Sequence, residues 1–281
     1  MNQMARLKRF RPRRHPRYKG PSFNRIVPNL MTMAGLCAGL TSMRFALEGR
    51  FGSAATAIAA AAVIDGLDGR LARLLNATSR FGAEFDSLSD FLCFGVAPGF
   101  TLYLWSLQRA GAYGYTPCLM FAVCMALRLA RFNAAIDGAP KPAYSYNFFT
   151  GVPAPAGAGV VLFPLFLGLE AKSLGLDRLL MVAQHPLFNA AMLIGTAVLL
   201  VSTLPVWSFK NFRVPSKFVL PLLLGTGFYV ALLIADPWAA LAAGGLIYLG
   251  MLPLSLRSFR RLRRQAEAMR TPEEALSQEL P

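Results

Sequence analysis

Apolar residues fall into eight long runs separated by short polar stretches. The runs cover approximately residues 28–47, 51–72, 86–108, 115–133, 152–170, 185–204, 218–235 and 237–256. Each is close to the roughly 20 residues a helix needs to cross a bilayer. The short alternating segments of a membrane β-barrel are not seen. The last two runs meet at Ala235, Asp236, Pro237 and Trp238, which reads as a tight turn. The pattern predicts an all-α fold: a polytopic membrane helical bundle of about eight transmembrane helices.

Composition supports this. Hydrophobic residues make up 55% of the chain and charged residues 15%, against about 25% charged in soluble domains. The first twenty residues are basic and lack an apolar stretch, so no cleavable signal peptide is expected. Net charge is +15, and its distribution predicts an orientation. With eight spans and a cytoplasmic N-terminus, twenty-four Lys and Arg fall inside. Only Arg44, Arg50, Arg109, Lys172 and Arg178 fall outside. That asymmetry is the positive-inside rule, and it places both termini in the cytoplasm. The basic arm Arg6–Lys19 reads as a topology signal that touches anionic lipid headgroups, not as a nucleic-acid tail. Cys37, Cys93, Cys118 and Cys124 lie in apolar sequence without paired spacing, so they read as packing residues. The two histidines, His15 and His185, are not placed for catalysis.

Four aspartates break the apolar pattern. Asp65, Asp68, Gly69 and Ala72 share one stripe of the second span, with Arg73 beside it. Asp86 and Asp90 share a face of the third. A twelve-residue connection, 74–85, is expected between them, on the cytoplasmic side. A carboxylate at the centre of a membrane helix costs about 2.5–3.5 kcal/mol. Four near the interface cost less each but repel one another. Two divalent cations would balance them, and all-oxygen ligands favour Mg²⁺ or Mn²⁺. Such a pair suits phosphoryl transfer. Gly69 and Gly82 leave the backbone open to a phosphate or nucleotide, and Arg73 suits a phosphate oxygen. A polar packing cluster or an ion pathway would also use intramembrane carboxylates.

Eight positions (Asp65, Asp68, Gly69, Ala72, Arg73, Gly82, Asp86, Asp90) match a single signature, D-x2-D-G-x2-A-R-x8-G-x3-D-x3-D. It is the motif of the CDP-alcohol phosphotransferases, and the chain resembles that family over roughly residues 24–215. The resemblance implies a membrane helical domain, usually a homodimer, whose site opens to the cytoplasm at the inner membrane. It implies that Asp65, Asp68, Asp86 and Asp90 hold two divalent cations and that Asp90 is also the general base. Gly69, Arg73 and Gly82 look like part of the CDP site. Asn29 and Thr32 resemble an element that lines the nucleotide pocket.

Within the family the chain looks most like the membrane-embedded phosphatidylserine synthases of bacteria. Three stretches carry this: Asn76–Ser79 with Asp86–Asp90 and Phe94–Pro98, then Leu127–Asn133, then Phe149–Ala156. The reaction so implied moves the phosphatidyl group of CDP-diacylglycerol to the hydroxyl of L-serine and releases CMP. Arg128, Arg131 and Asn133 are then candidates to bind serine, whose carboxylate suits an Arg fork. Both arginines also read as snorkelling to the interface. Other acceptors, namely glycerol phosphate, inositol phosphate or choline, fit the same chemistry. A cation-coupled transporter is the rival of another class; the absence of a second aspartate motif in residues 115–281 counts against it. The organisation expected is a basic arm (1–25), a six-span catalytic domain (26–215), two added spans (216–256) and a cytoplasmic tail (257–281). The prolines of Gly151–Pro155 read as a kink where a span begins. Gly35 and Gly39 read as close helix packing, and only weakly as a dimer contact.

Overall fold

The computed structural model describes residues 23–136, 148–202, 205–207 and 216–268. The basic arm through residue 22, His15, Lys141, Lys210, Arg213 and the tail beyond Ala268 lie outside the described residues. Eleven helices follow in order: α1 (Phe23–Leu47), α2 (Phe51–Leu74), α3 (Arg80–Asp90), α4 (Ala97–Trp105), α5 (Ala112–Ile136), α6 (Ala154–Val161), α7 (Phe163–Ser173), α8 (Asp177–Ala183), α9 (Pro186–Val201), α10 (Ser216–Ala235) and α11 (Pro237–Ala268). Among the described residues, six helical stretches are long and apolar enough to cross a membrane. The count is eight if the bent pairs α6–α7 (43°) and α8–α9 (47°) are each one span. The predicted helical membrane bundle is therefore observed.

Four details differ from expectation. The connection between the second and third spans is five residues, 75–79, not twelve. Two local devices shorten it. Asn76 adopts φ 48°, and the Asn76 and Ala77 amides donate to the Arg73 and Ala72 carbonyls, closing α2 with a Schellman motif. Ser79 then caps α3, accepting from the Gly82 amide at 3.0 Å. Second, spans five and six are each broken where a proline opens the following helix, at Pro164 and at Pro186. Proline has no N–H and suits a helix start, not its interior. Third, a short antiparallel ribbon pairs Phe148–Thr150 with Pro205–Trp207, which apolar periodicity did not foretell. Fourth, α11 continues to Ala268, well past the predicted end of the last apolar run.

Between α3 and α4 the third span contains a π-helical segment, Phe91–Val96. This stretch packs into the centre of the bundle, where Phe94, Leu102, Phe121, Met125, Leu165 and Leu200 are fully buried. Small residues make the approach possible. A Cβ on Gly39 would stand 2.5 Å from the Cys93 Sγ, and one on Gly95 would stand 2.9 Å from Met125. Gly35 likewise faces Ile64, so the glycine pair of α1 serves internal packing.

Candidate active site

The end of α2 and the start of α3 converge against α1. One carboxylate oxygen from each of Asp65, Asp68 and Asp86 lies within 4.8 Å of the other two. Asp90 joins from the last turn of α3, its carboxyl beside that of Asp65. All four border one small cavity with Thr32, Gly35 and Ser89. The two stripes read from helical spacing therefore do meet.

The neighbours fix the carboxylates. Asp68 is 4% exposed, and the Thr32 hydroxyl donates to its Oδ2 at 2.7 Å, with the Pro28 carbonyl as the longer alternative at 3.2 Å. Ser89 reaches back to the Thr32 carbonyl at 3.5 Å. Ser87, between Asp86 and the cap of the π segment, bonds Asn133 of α5, whose Nδ2 lies 3.0 Å from its Oγ. The π segment begins directly after Asp90. Such wide turns recur at functional sites.

The two motif glycines differ. A Cβ on Gly69 would meet nothing within 4 Å, so the backbone there is open to a ligand. A Cβ on Gly82 would meet the Asn29 Oδ1 at 3.0 Å and the Ser79 Oγ at 3.1 Å. Gly82 thus lets Asn29 and the helix cap close together; it is covered, where open backbone was expected. Arg73 is exposed and donates its Nε to the Gly69 carbonyl at 3.0 Å, which holds it beside the open glycine.

The three acceptor candidates fall in different places. Arg128 donates its Nε to the Val152 carbonyl at 2.5 Å and lies within electrostatic reach of Asp90. Asn133 braces Ser87. The Arg131 guanidinium donates to the Leu200, Val201 and Ser202 carbonyls at 3.3, 2.7 and 3.3 Å, so it caps the C-terminus of α9.

Beside the carboxylates, a largely apolar cavity of about 530 Å³ opens between α2, α6, α10 and α11. Phe94 borders both spaces. Tyr248 of α11 lines this cavity and lies within electrostatic reach of Arg128. Sequence reasoning missed Tyr248, because its surroundings come from residues far away in the sequence.

Three carboxylates at this spacing offer the hard-oxygen donor set that Mg²⁺ or Mn²⁺ takes. The residues present fit a divalent cation. Four half-buried to buried carboxylates this close would carry uncompensated repulsion without a cation.

Comparison with known proteins agrees with this geometry. The family model described as CDP-alcohol phosphatidyltransferase matches residues 25–201, and that described as CDP-alcohol phosphatidyltransferase 2 matches residues 217–253. The chain is 39% identical over 242 residues to the CDP-diacylglycerol–serine O-phosphatidyltransferase of Mycobacterium tuberculosis, covering 86% of this chain and 82% of that one. It is 40% identical over 243 residues to the protein of the same name from Mycobacterium leprae, covering 86% and 78%. With the Helicobacter pylori protein of that name it shares 39% identity over 142 residues, 50% of this chain and 58% of that one. A multi-pass helical membrane protein with this motif, this carboxylate cluster and these matches belongs to the CDP-alcohol phosphatidyltransferase family of transferases.

Proposed function

We propose that this chain transfers the phosphatidyl group of CDP-diacylglycerol to the hydroxyl of L-serine, giving phosphatidylserine and CMP. The observation that carries the reading is the convergence of Asp65, Asp68, Asp86 and Asp90 at the meeting of α2 and α3. The names of the relatives support serine as the acceptor.

Asp65, Asp68, Asp86 and Asp90 would hold two divalent cations, Mg²⁺ or Mn²⁺. When bound, such ions neutralise the pyrophosphate and stabilise charge on the attacking and leaving oxygens. Thr32 positions Asp68 through its hydroxyl. Asn29, Gly69, Arg73 and Gly82 frame the nucleotide end. Of these, Gly69 offers open backbone and Arg73 offers a cation for phosphate. Asp90 takes the proton from the serine hydroxyl as the bond to phosphorus forms, which acidifies that hydroxyl enough for a carboxylate to act as base. Arg128 faces Asp90 from α5 and meets the serine carboxylate. Arg131 and Asn133 hold the frame around it. The site faces the cytoplasm at the inner membrane, with the basic arm on anionic headgroups. The homodimer implied by the family resemblance belongs to the same reading.

The test is CMP release by the purified protein with CDP-diacylglycerol, Mn²⁺ and one alcohol at a time. Release is expected with serine. Release with glycerol phosphate, inositol phosphate or choline, and not serine, would reassign the acceptor. Silence with every alcohol would favour the transporter.

A further inference from the structure

The C-terminal hairpin contains two tyrosines with different surroundings. Tyr229 on α10 donates its hydroxyl to the Ala240 carbonyl at 3.1 Å. Tyr248 on α11 has a buried hydroxyl with no hydrogen-bond partner among the described residues. A buried donor left unmade costs stability, and in native folds such a group often has a role outside packing.

Its position indicates which role. Tyr248 stands in the cavity with Phe94, Pro155 and Ala156. Phe94 is one turn beyond Asp90 and borders the carboxylate cluster. Arg128 is within electrostatic reach of both the Tyr248 hydroxyl and the Asp90 carboxyl. Its Nε is held by the Val152 carbonyl, and no other Arg128 hydrogen bond is present among the described residues. The terminal nitrogens of the Arg128 fork and the Tyr248 hydroxyl, on α5 and α11, thus have no acceptor among the described residues.

We propose that Arg128 and Tyr248 together form the carboxylate subsite of the amino-acid acceptor. This rests on the serine reading above. Serine carries its hydroxyl and carboxylate on adjacent carbons, so one end lies on Asp90 while the other accepts from the guanidinium and the tyrosine hydroxyl. Arg128 is then a binding residue, and Tyr248 is the group that selects an acceptor bearing a carboxylate. On this proposal the last two spans take part in choosing the acceptor as well as anchoring the chain.

The experiment compares the full chain with Tyr248→Phe in lipid nanodiscs. It measures CMP release with serine and with serinol, which keeps the amine and a hydroxyl but lacks the carboxylate. In the variant the KM for serine should rise at least about tenfold, as for a lost hydrogen bond to a charged group. The KM for CDP-diacylglycerol and the rate with serinol should hold. Thermal stability should hold or rise, because the hydroxyl removed has no partner among the described residues. An unchanged KM for serine would overturn the proposal, as would an equal loss with serinol. A shift confined to the KM for CDP-diacylglycerol would overturn it too, and assign the hydroxyl to the lipid. If the wild-type chain releases no CMP with serine, the functional reading itself fails and the proposal falls with it.

Discussion

The third span and the tenth helix are both apolar enough to cross a membrane, yet they sit in opposite environments. Half of the most apolar stretch of Arg80–Trp105 is buried inside the protein, and none of that of Phe218–Ala235 is. The buried span carries Asp86, Asp90, Ser87 and Ser89. The uncovered helix carries Leu220, Leu222, Leu223 and Leu224, each more than half exposed. In water this order would be reversed. In a bilayer no hydrophobic force drives leucine inward, while polar groups gain by finding one another. The difference teaches where to look: the carboxylate cluster lies on less apolar spans, and the most apolar helix is the least buried.

Chelation is the harshest way to break that comparison. If the polar span exists to hold cations, removing divalent ions should abolish CMP release, and either Mg²⁺ or Mn²⁺ should restore it. Turnover that persists in chelator would leave the carboxylates as a packing cluster. Asp90→Asn comes next. The side chain keeps its shape but cannot accept the serine proton, so turnover should fall about 10²–10⁴-fold. Binding of CDP-diacylglycerol, measured separately, should survive. Retained turnover would remove Asp90 from the base role.

The carboxylates were readable because charge inside apolar sequence is rare and because their spacing fixes a helix face. Asp65 and Asp68 needed only the 3.6-residue period to fall together, and the pairing of α2 with α3 followed from a short link. The length of that link was misjudged because Asn76 in a left-handed conformation and Ser79 as a cap are local devices hidden in a polar stretch. The π segment after Asp90 was not legible at all. It depends on how Gly39 meets Cys93 and how Gly95 meets Met125, and those are contacts between distant parts of the chain. Tyr248 was hidden for the same reason. Its meaning comes from Arg128, 120 positions earlier in the sequence. Arg131 shows the converse. Its residue type and position suited an acceptor site, but the carbonyls at the end of α9 hold it.

A milder cut separates the carboxylates from their supports. Thr32→Val keeps the volume near Asp68 and deletes the 2.7 Å hydrogen bond. Residues that orient a metal ligand typically contribute 10–100-fold in metal affinity. The concentration of Mg²⁺ giving half-maximal CMP release should therefore rise by about that factor, while the rate at saturating metal changes less. An unchanged metal requirement would mean that Asp68 is positioned by the helix alone.

The smallest effect tests the outer wall, and it needs a matched pair. Leu102 in α4 is 0% exposed and Leu224 in α10 is 66% exposed. Leu102→Ala leaves a cavity between packed helices and should cost about 2–5 kcal/mol, seen as a clear drop in the thermal midpoint in detergent. Leu224→Ala removes the same atoms from a face that the rest of the chain leaves exposed. Lipid tails are as apolar as leucine, so no packed contact is lost there, and the midpoint and the rate of CMP release should stay close to wild type. A fall at Leu224 as large as that at Leu102 would show that α10 is covered by protein in the membrane. A second copy of the chain seated on that helix would then be the first occupant to test by crosslinking.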